Sequence, residues 1–256
     1  MTVLHHRRSG LSGAPALVLG SSLGTTLSMW DLELAALERR HDVVRFDHRG
    51  HGSSPAPPAP WDIADLGRDV IELLDSLALQ RVSYAGVSLG GMVGMWLAAN
   101  APERVERLVI VCSSAHLPPP EVWAQRAAAV IGAGSVGAVS DAVLERWFTP
   151  GFARERPEVM SWMDAMLRAC PPQGYAGCCG VIERLDLREQ LGAISAPTLV
   201  IAAAEDPSTP PAHSELIAAA IPGAHLVVLE HGAHLVAVER PDEVSALIER
   251  HLEEAV

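Results

Sequence analysis

Lysine is absent: all 19 basic side chains among the 256 residues are arginines. That excludes Schiff-base chemistry on a protein amine and the lysine of a phosphate-binding loop. No apolar run reaches the about 18 residues of a membrane-spanning helix, and the opening MTVLHHRRSG lacks the apolar stretch of a secretory signal. Cysteine is scarce. Cys112, Cys170, Cys178 and Cys179 are the only four, and none is spaced as C-x-x-C. The histidines form no H-E-x-x-H pattern and no Cys/His ladder, so neither a metal nor any other cofactor is expected. These absences predict reduced thiols and a cytoplasmic protein. Basic charge is also short, with 31 acidic against 19 basic residues and a net charge of -12. Such a surface repels nucleic acid and anionic membranes.

What is present is an alternation of short apolar runs and helical patterns. ALVLG (16–20), DVVRFD (42–47), RVSYAGV (81–87), RLVIVCS (107–113), APTLVIAA (196–203) and AHLVVLE (224–230) read as strands. Helices are predicted over 30–40, 62–79, 89–102, after PPAHSELIAAAI, and over 239–254. Strands alternating with helices predict an α/β fold with right-handed crossovers and a parallel sheet. The rhythm breaks between residues 116 and 190, where helical patterns, aromatics and prolines occur without a core strand. The expected organisation is a core formed by residues 1–115 and 191–256, with 116–190 inserted as a helical cap.

One short motif carries chemistry. In AGVSLGGM (85–92), Gly86-Val87-Ser88-Leu89-Gly90 spells G-x-S-x-G between a strand and a helix. Glycines there permit a sharp strand-to-helix turn that lifts the serine above the sheet. A helix-capping serine would look alike in isolation, so the partners decide. A nucleophilic serine of this type is followed along the chain by an acid and then a histidine, each beyond a later strand. Asp206, in AAAEDPSTPP, occupies the acid position, with Glu205 beside it expected to face away. CSSAH (112–116) offers no carboxylate at the alternative position. In LEHGAHL, His234 is the preferred base; His231 reads as a rim residue and His225 lies at the wrong end of its strand. The oxyanion hole needs backbone donors, for which Leu89 and Leu23 are the candidates. DHRGHGSS (47–54) matches neither G-x-x-x-x-G-K-[ST] nor G-x-G-x-x-G, so phosphate binding is not expected. A structural loop held by Asp47 and Arg49 is the favoured reading, with His48 and His51 lining the site mouth as the other.

Together these segments resemble the α/β-hydrolase family over nearly the whole chain. In the cap, RWFTPGF (146–152) and GYAGCC (174–179) resemble the family's enol-lactonases more specifically. The resemblance implies an α/β-hydrolase fold, a mostly parallel sheet flanked by helices with an inserted helical cap. It implies a catalytic triad of Ser88, Asp206 and His234, and an oxyanion hole at Leu23 and Leu89. Ser21–Ser22 stand where many members have His-Gly, a departure that removes no group the chemistry needs. A lactone carrying a free carboxylate is the implied substrate, and it calls for a local cation. Arg146 is the preferred cap arginine, ahead of Arg154, Arg156, Arg168 and Arg184. Trp147, Trp123 and Trp162 either wall the pocket or glue the cap to the core.

Overall fold

The computed structural model describes residues 4–253. Seven strands form one sheet: β1 (His6–Gly10), β2 (Ala16–Gly20), β3 (Asp42–Phe46), β4 (Val82–Val87), β5 (Val105–Val111), β6 (Thr198–Ala203) and β7 (His225–Leu229). Their spatial order is β1-β3-β2-β4-β5-β6-β7. All neighbours are parallel except β1, which pairs antiparallel with β3. The central strands VSYAGV and TLVIAA are buried at every position, as strands covered by helices on both faces must be.

The helices are α1 (Leu34–Leu37), α2 (Ile63–Ser76), α3 (Leu89–Asn100), α4 (Pro120–Ala133), α5 (Ser140–Trp147), α6 (Pro150–Glu155), α7 (Pro157–Ala169), α8 (Pro172–Glu183), α9 (Pro211–Ala220), α10 (Val236–Glu239) and α11 (Pro241–Glu253). None is long and apolar enough to cross a membrane. In α2, Leu66, Val70, Leu73 and Leu74 recur at helical spacing and are buried, and Asp62 and Asp65 close a capping box at its start. Removing those four side chains from water contributes roughly 6–12 kcal/mol before entropy is counted. α3 is nearly all buried, and its glycines let it lie close against β4 and β5.

Two elements differ from expectation. β1, HRRSG, has no apolar face. It forms because β3 offers a partner from His6↔Phe46 to Gly10↔Asp42, with Arg8 clamping Asp42 at 2.6 and 2.9 Å. The helix predicted over 30–40 is a 3-10 turn at Leu27–Trp30 followed by the four residues of α1. There Asp47 takes the Leu27 amide, and Arg45 binds both the Leu27 carbonyl and Asp31, so tertiary contacts override helix propensity. The helix predicted over 239–254 is α11, opened by Pro241 directly after the four residues of α10.

Helices α4 to α8 lie between β5 and β6 and form the cap. Its stem is closed by the His116↔Asp186 bridge and by the Leu187 amide on the Ala115 carbonyl at 2.8 Å. Proline opens α4, α6, α7 and α8. Buried cap residues such as Met163, Leu167 and Tyr175 join the same apolar cluster as the sheet, so the cap is seated on the C-terminal strand ends.

Candidate active site

Ser88 sits between the end of β4 and the start of α3 with φ 54° and ψ -113°. A non-glycine residue held there stores about 1–3 kcal/mol of backbone strain. The surroundings hold it. The Ser88 amide donates to the Val111 carbonyl at 2.9 Å, and its carbonyl accepts the Ser113 hydroxyl at 2.7 Å. Gly86 and Gly90 are needed for space, since a methyl on Gly86 would run into the Gly90 carbonyl and one on Gly90 into that of Gly20.

The loops beyond β6 and β7 bring Asp206 and His234 to this turn. His234 Nε2 lies 2.9 Å from Ser88 Oγ, and His234 Nδ1 lies 2.8 Å from Asp206 Oδ2. All three are buried, with exposures of 7% for Ser88, 4% for His234 and 3% for Asp206. Asp206 Oδ1 accepts the amides of Ser208 at 2.7 Å and Thr209 at 3.0 Å, while Oδ2 accepts the Thr209 hydroxyl at 2.7 Å. Burial works to raise this carboxyl, but the His234 charge and hydrogen bond and the Thr209 donors outweigh it and bring it down to about 2. An ionised Asp206 orients the imidazole with Nδ1–H toward itself, leaving Nε2 free to accept the serine proton.

The His234 loop is also tied to the cap. Glu239 accepts the Ala233 amide at 2.9 Å and binds the Thr149 hydroxyl through its other oxygen. The Leu235 amide donates to the Trp147 carbonyl at 2.9 Å. Glu205 is exposed and faces His231 at 4.0 Å on the rim. His225, at the start of β7, is at the far end of the sheet. The empty acid position beyond β5 holds Cys112, fully buried, whose thiol burial and neighbouring Asp206 push well up.

Leu89 opens α3, so its amide has no partner within the helix. Leu23 lines the cavity in the turn after β2. The Gly90 amide donates to the Ser21 carbonyl at 3.1 Å, joining the two segments. Among the described residues neither the Leu23 nor the Leu89 amide donates to a protein acceptor. His48 and His51 do not line the mouth. Both are buried behind the Leu23 turn, exposed by 2% and 0%. Arg49 holds Asp69 at 2.6 and 2.8 Å and lies 5.5 Å over the Trp61 ring.

Ser88 and His234 open into a pocket roofed by the cap. Trp123, Arg146 and Trp147 line it, as does Arg126, which sequence reasoning missed. Arg126 is half-buried on α4, its guanidinium 4.6 Å over the Trp123 ring. The available signal was the Trp123–Arg126 spacing, which stacks the two on one helix face. Arg146 is exposed at the mouth. Arg154, Arg156, Arg168 and Arg184 do not line the cavity, and neither does Trp162. Arg156 pairs with Glu158, Arg168 with Asp164, and Arg184 with the Trp61 carbonyl. Cys170, Cys178 and Cys179 are free and buried; burial pushes Cys170 and Cys179 up to about 12.

A serine hydrogen-bonded to an imidazole, an ionised acid behind it and two open amides beside it suit nucleophilic attack on a carbonyl. The chain is 37% identical over 246 residues to 3-oxoadipate enol-lactonase 2 of Acinetobacter baylyi, covering 96% of this chain and 91% of that protein. The crystal structure of the enol-lactonase from Burkholderia xenovorans LB400 superposes with a TM-score of 0.95 at 38% identity, covering 98% and 96% of the two chains. That of a hydrolase from Pseudomonas aeruginosa PA01 gives 0.95 at 45% identity, covering 98% and 94%. Residues 17–247 match the profile of the Alpha/beta hydrolase family, and the chain belongs to that family.

Proposed function

We propose that the protein is a serine hydrolase that opens a small enol-lactone bearing a free carboxylate, 3-oxoadipate enol-lactone, to give 3-oxoadipate. The observation that carries this reading is the hydrogen-bonded series Ser88–His234–Asp206 at the floor of a cavity whose roof supplies two arginines, Arg126 and Arg146. The similarity to enol-lactonases supports the choice of lactone.

His234 Nε2 takes the Ser88 proton as Oγ attacks the lactone carbonyl. Asp206 stabilises the imidazolium and holds its tautomer. The Leu23 and Leu89 amides hold the oxyanion of the tetrahedral intermediate. Its collapse breaks the ring C–O bond and releases an enolate that stays tethered to the acyl group, because the ester was cyclic. The His234 imidazolium gives up its proton to the enolate, whose protonation at carbon makes the ketone, and Nε2 is again free to accept. Water then gives a proton to His234 and attacks the acyl-enzyme, and Ser88 leaves with its proton restored. Arg126 and Arg146 receive the substrate carboxylate from the cap side.

The test is a comparison of kcat/KM for enol-lactone generated in situ, its neutral methyl ester, and a simple aryl ester. The reading predicts that the carboxylated lactone is the best of the three and that 3-oxoadipate is its product. Efficient aryl ester cleavage with no lactone turnover above background would reject it.

A further inference from the structure

The mechanism above assigns no part to DHRGHGSS (47–54), which contains two buried histidines, His48 and His51. We infer that this loop is a clamp that sets the oxyanion hole, with His48 and His51 as positioning residues for the Leu23 and Leu89 amides. The inference rests on the reading of Ser88 as an acyl-transfer nucleophile.

The turn carrying Leu23 is gripped from behind at three points. His48 Nε2 lies 3.0 Å from the Ser21 carbonyl, the Gly24 amide donates to His51 Nε2 at 2.9 Å, and the Leu27 amide donates to Asp47 Oδ1 at 2.7 Å. Two of these contacts flank Leu23 on either side. The Ser21 carbonyl also accepts the Gly90 amide at 3.1 Å, one residue beyond Leu89. A single carbonyl therefore joins the two halves of the hole, and His48 is its second donor.

The two histidines play opposite parts, and their hydrogen bonds fix both tautomers. His48 must carry its proton on Nε2 to donate to a carbonyl. His51 must have Nε2 bare to accept an amide, so its proton sits on Nδ1, 3.2 Å from the Arg49 carbonyl. Both rings stay neutral: burial and the neighbouring His51 push His48 down to about 3 against the Ser21 bond, and burial lowers His51 as well.

The clamp has rigid backing. Asp47 holds the Ser53 amide at 3.0 Å and His5 at 2.7 Å, and Arg49 is paired with Asp69. On the far side the loop meets the cap backbone to backbone, since a methyl on Gly174 of α8 would run into the Gly50 carbonyl. The loop thus reaches from the cap to the turn that carries Leu23.

The experiment compares His48→Leu, His48→Gln, His51→Leu and His51→Gln with wild type. Leucine fills the space without a polar group, whereas glutamine can supply a donor toward Ser21 or an acceptor toward Gly24. Three readouts are needed: kcat and KM on a neutral aryl ester, the inhibition constant of phenylboronic acid, and thermal unfolding. The boronate forms a tetrahedral adduct on the serine with an oxygen in the hole, so its affinity reports the hole itself. The clamp predicts that the leucine variants lose about 10- to 100-fold in kcat, with a parallel loss of boronate affinity and a KM change within about threefold. The glutamine variants should recover much of both. Folded leucine variants that keep wild-type kcat and boronate affinity would overturn the clamp. If the leucine variants do not fold, glutamine variants that fold yet lose turnover and boronate affinity in parallel support it, and glutamine variants with wild-type values of both overturn it. Failure of the boronate to bind wild type would instead contradict the nucleophile reading, so the two failures are separable.

Discussion

The two cavity arginines differ in environment, and that difference predicts unequal roles. Arg126 is half-buried, backed by the Trp123 ring at 4.6 Å. Arg146 is exposed at the mouth. A hydrogen bond between a carboxylate and a partly desolvated guanidinium contributes about 1.5–3 kcal/mol, or roughly 10- to 150-fold in kcat/KM. An exposed ion pair contributes about 0.2–1 kcal/mol, at most roughly fivefold, and weakens with salt. Arg126→Met should therefore cost about 10- to 150-fold on the carboxylated lactone and little on its methyl ester. Arg146→Met should cost roughly fivefold or less, and less still in high salt. Methionine keeps apolar bulk against Trp123, so the cap should stay seated. The assay is a set of kcat/KM values for three proteins, two substrates and two salt concentrations. Equal losses of Arg126→Met on charged and neutral substrates would show that Arg126 only props the cap. A larger charge-selective loss for Arg146→Met would mean that burial does not rank the two sites.

Further predictions concern the acid and the core. Thr209→Val removes the hydroxyl on Asp206 Oδ2 but leaves the 3.0 Å amide contact; kcat should fall about tenfold and the Asp206 carboxyl should rise from its value of about 2. Thr209→Ser should retain most activity, and equal losses in the two variants would remove the hydroxyl from the account. Asp206 is depressed from 3.8 to about 2, so its stabilising effect is present above the unfolded value and is lost as pH falls through that range. Asp206→Asn should flatten the stability curve there by about 2 kcal/mol, measured by urea unfolding. Glu33 is the opposite case: burial pushes its carboxyl well above the usual range, which its own backbone and Arg45 only partly offset. Its folded value is raised, so stability is full below the ordinary 4.5 and falls as pH rises. Glu33→Gln should raise Tm at pH 8 and leave it little changed at pH 4; the reverse order would contradict the sign.

The six strands from β2 to β7 were legible because each holds a short, mostly apolar run bounded by turn residues. β1 was not, because HRRSG owes its strand to the register with β3 and not to its own pattern. The helix predicted over 30–40 shortens to Leu34–Leu37 for a related reason, its helical periodicity being overruled by Arg45 of β3 and by Asp47 just beyond it. Ser88, Asp206 and His234 could be read as positions because each lies just beyond a strand end, and the structure places them in one hydrogen-bonded series. What supports them could not be read. Thr149 and Glu239 are 90 residues apart in the chain, and His51 and Gly24 are 27 apart. No local pattern encodes such pairings. Arg126 was hidden among many arginines, and only the packing of α4 over the strand ends separates it from the solvated ones.

The central claim is that Ser88 Oγ is the nucleophile. It is tested most directly by mass spectrometry of the protein after brief exposure to a small fluorophosphonate, with peptide mapping, in wild type and Ser88→Ala. The account predicts a single adduct on the peptide containing Ser88, loss of all hydrolysis in step with labelling, and no adduct in Ser88→Ala. An adduct on another residue, or hydrolysis that survives in Ser88→Ala, would contradict it.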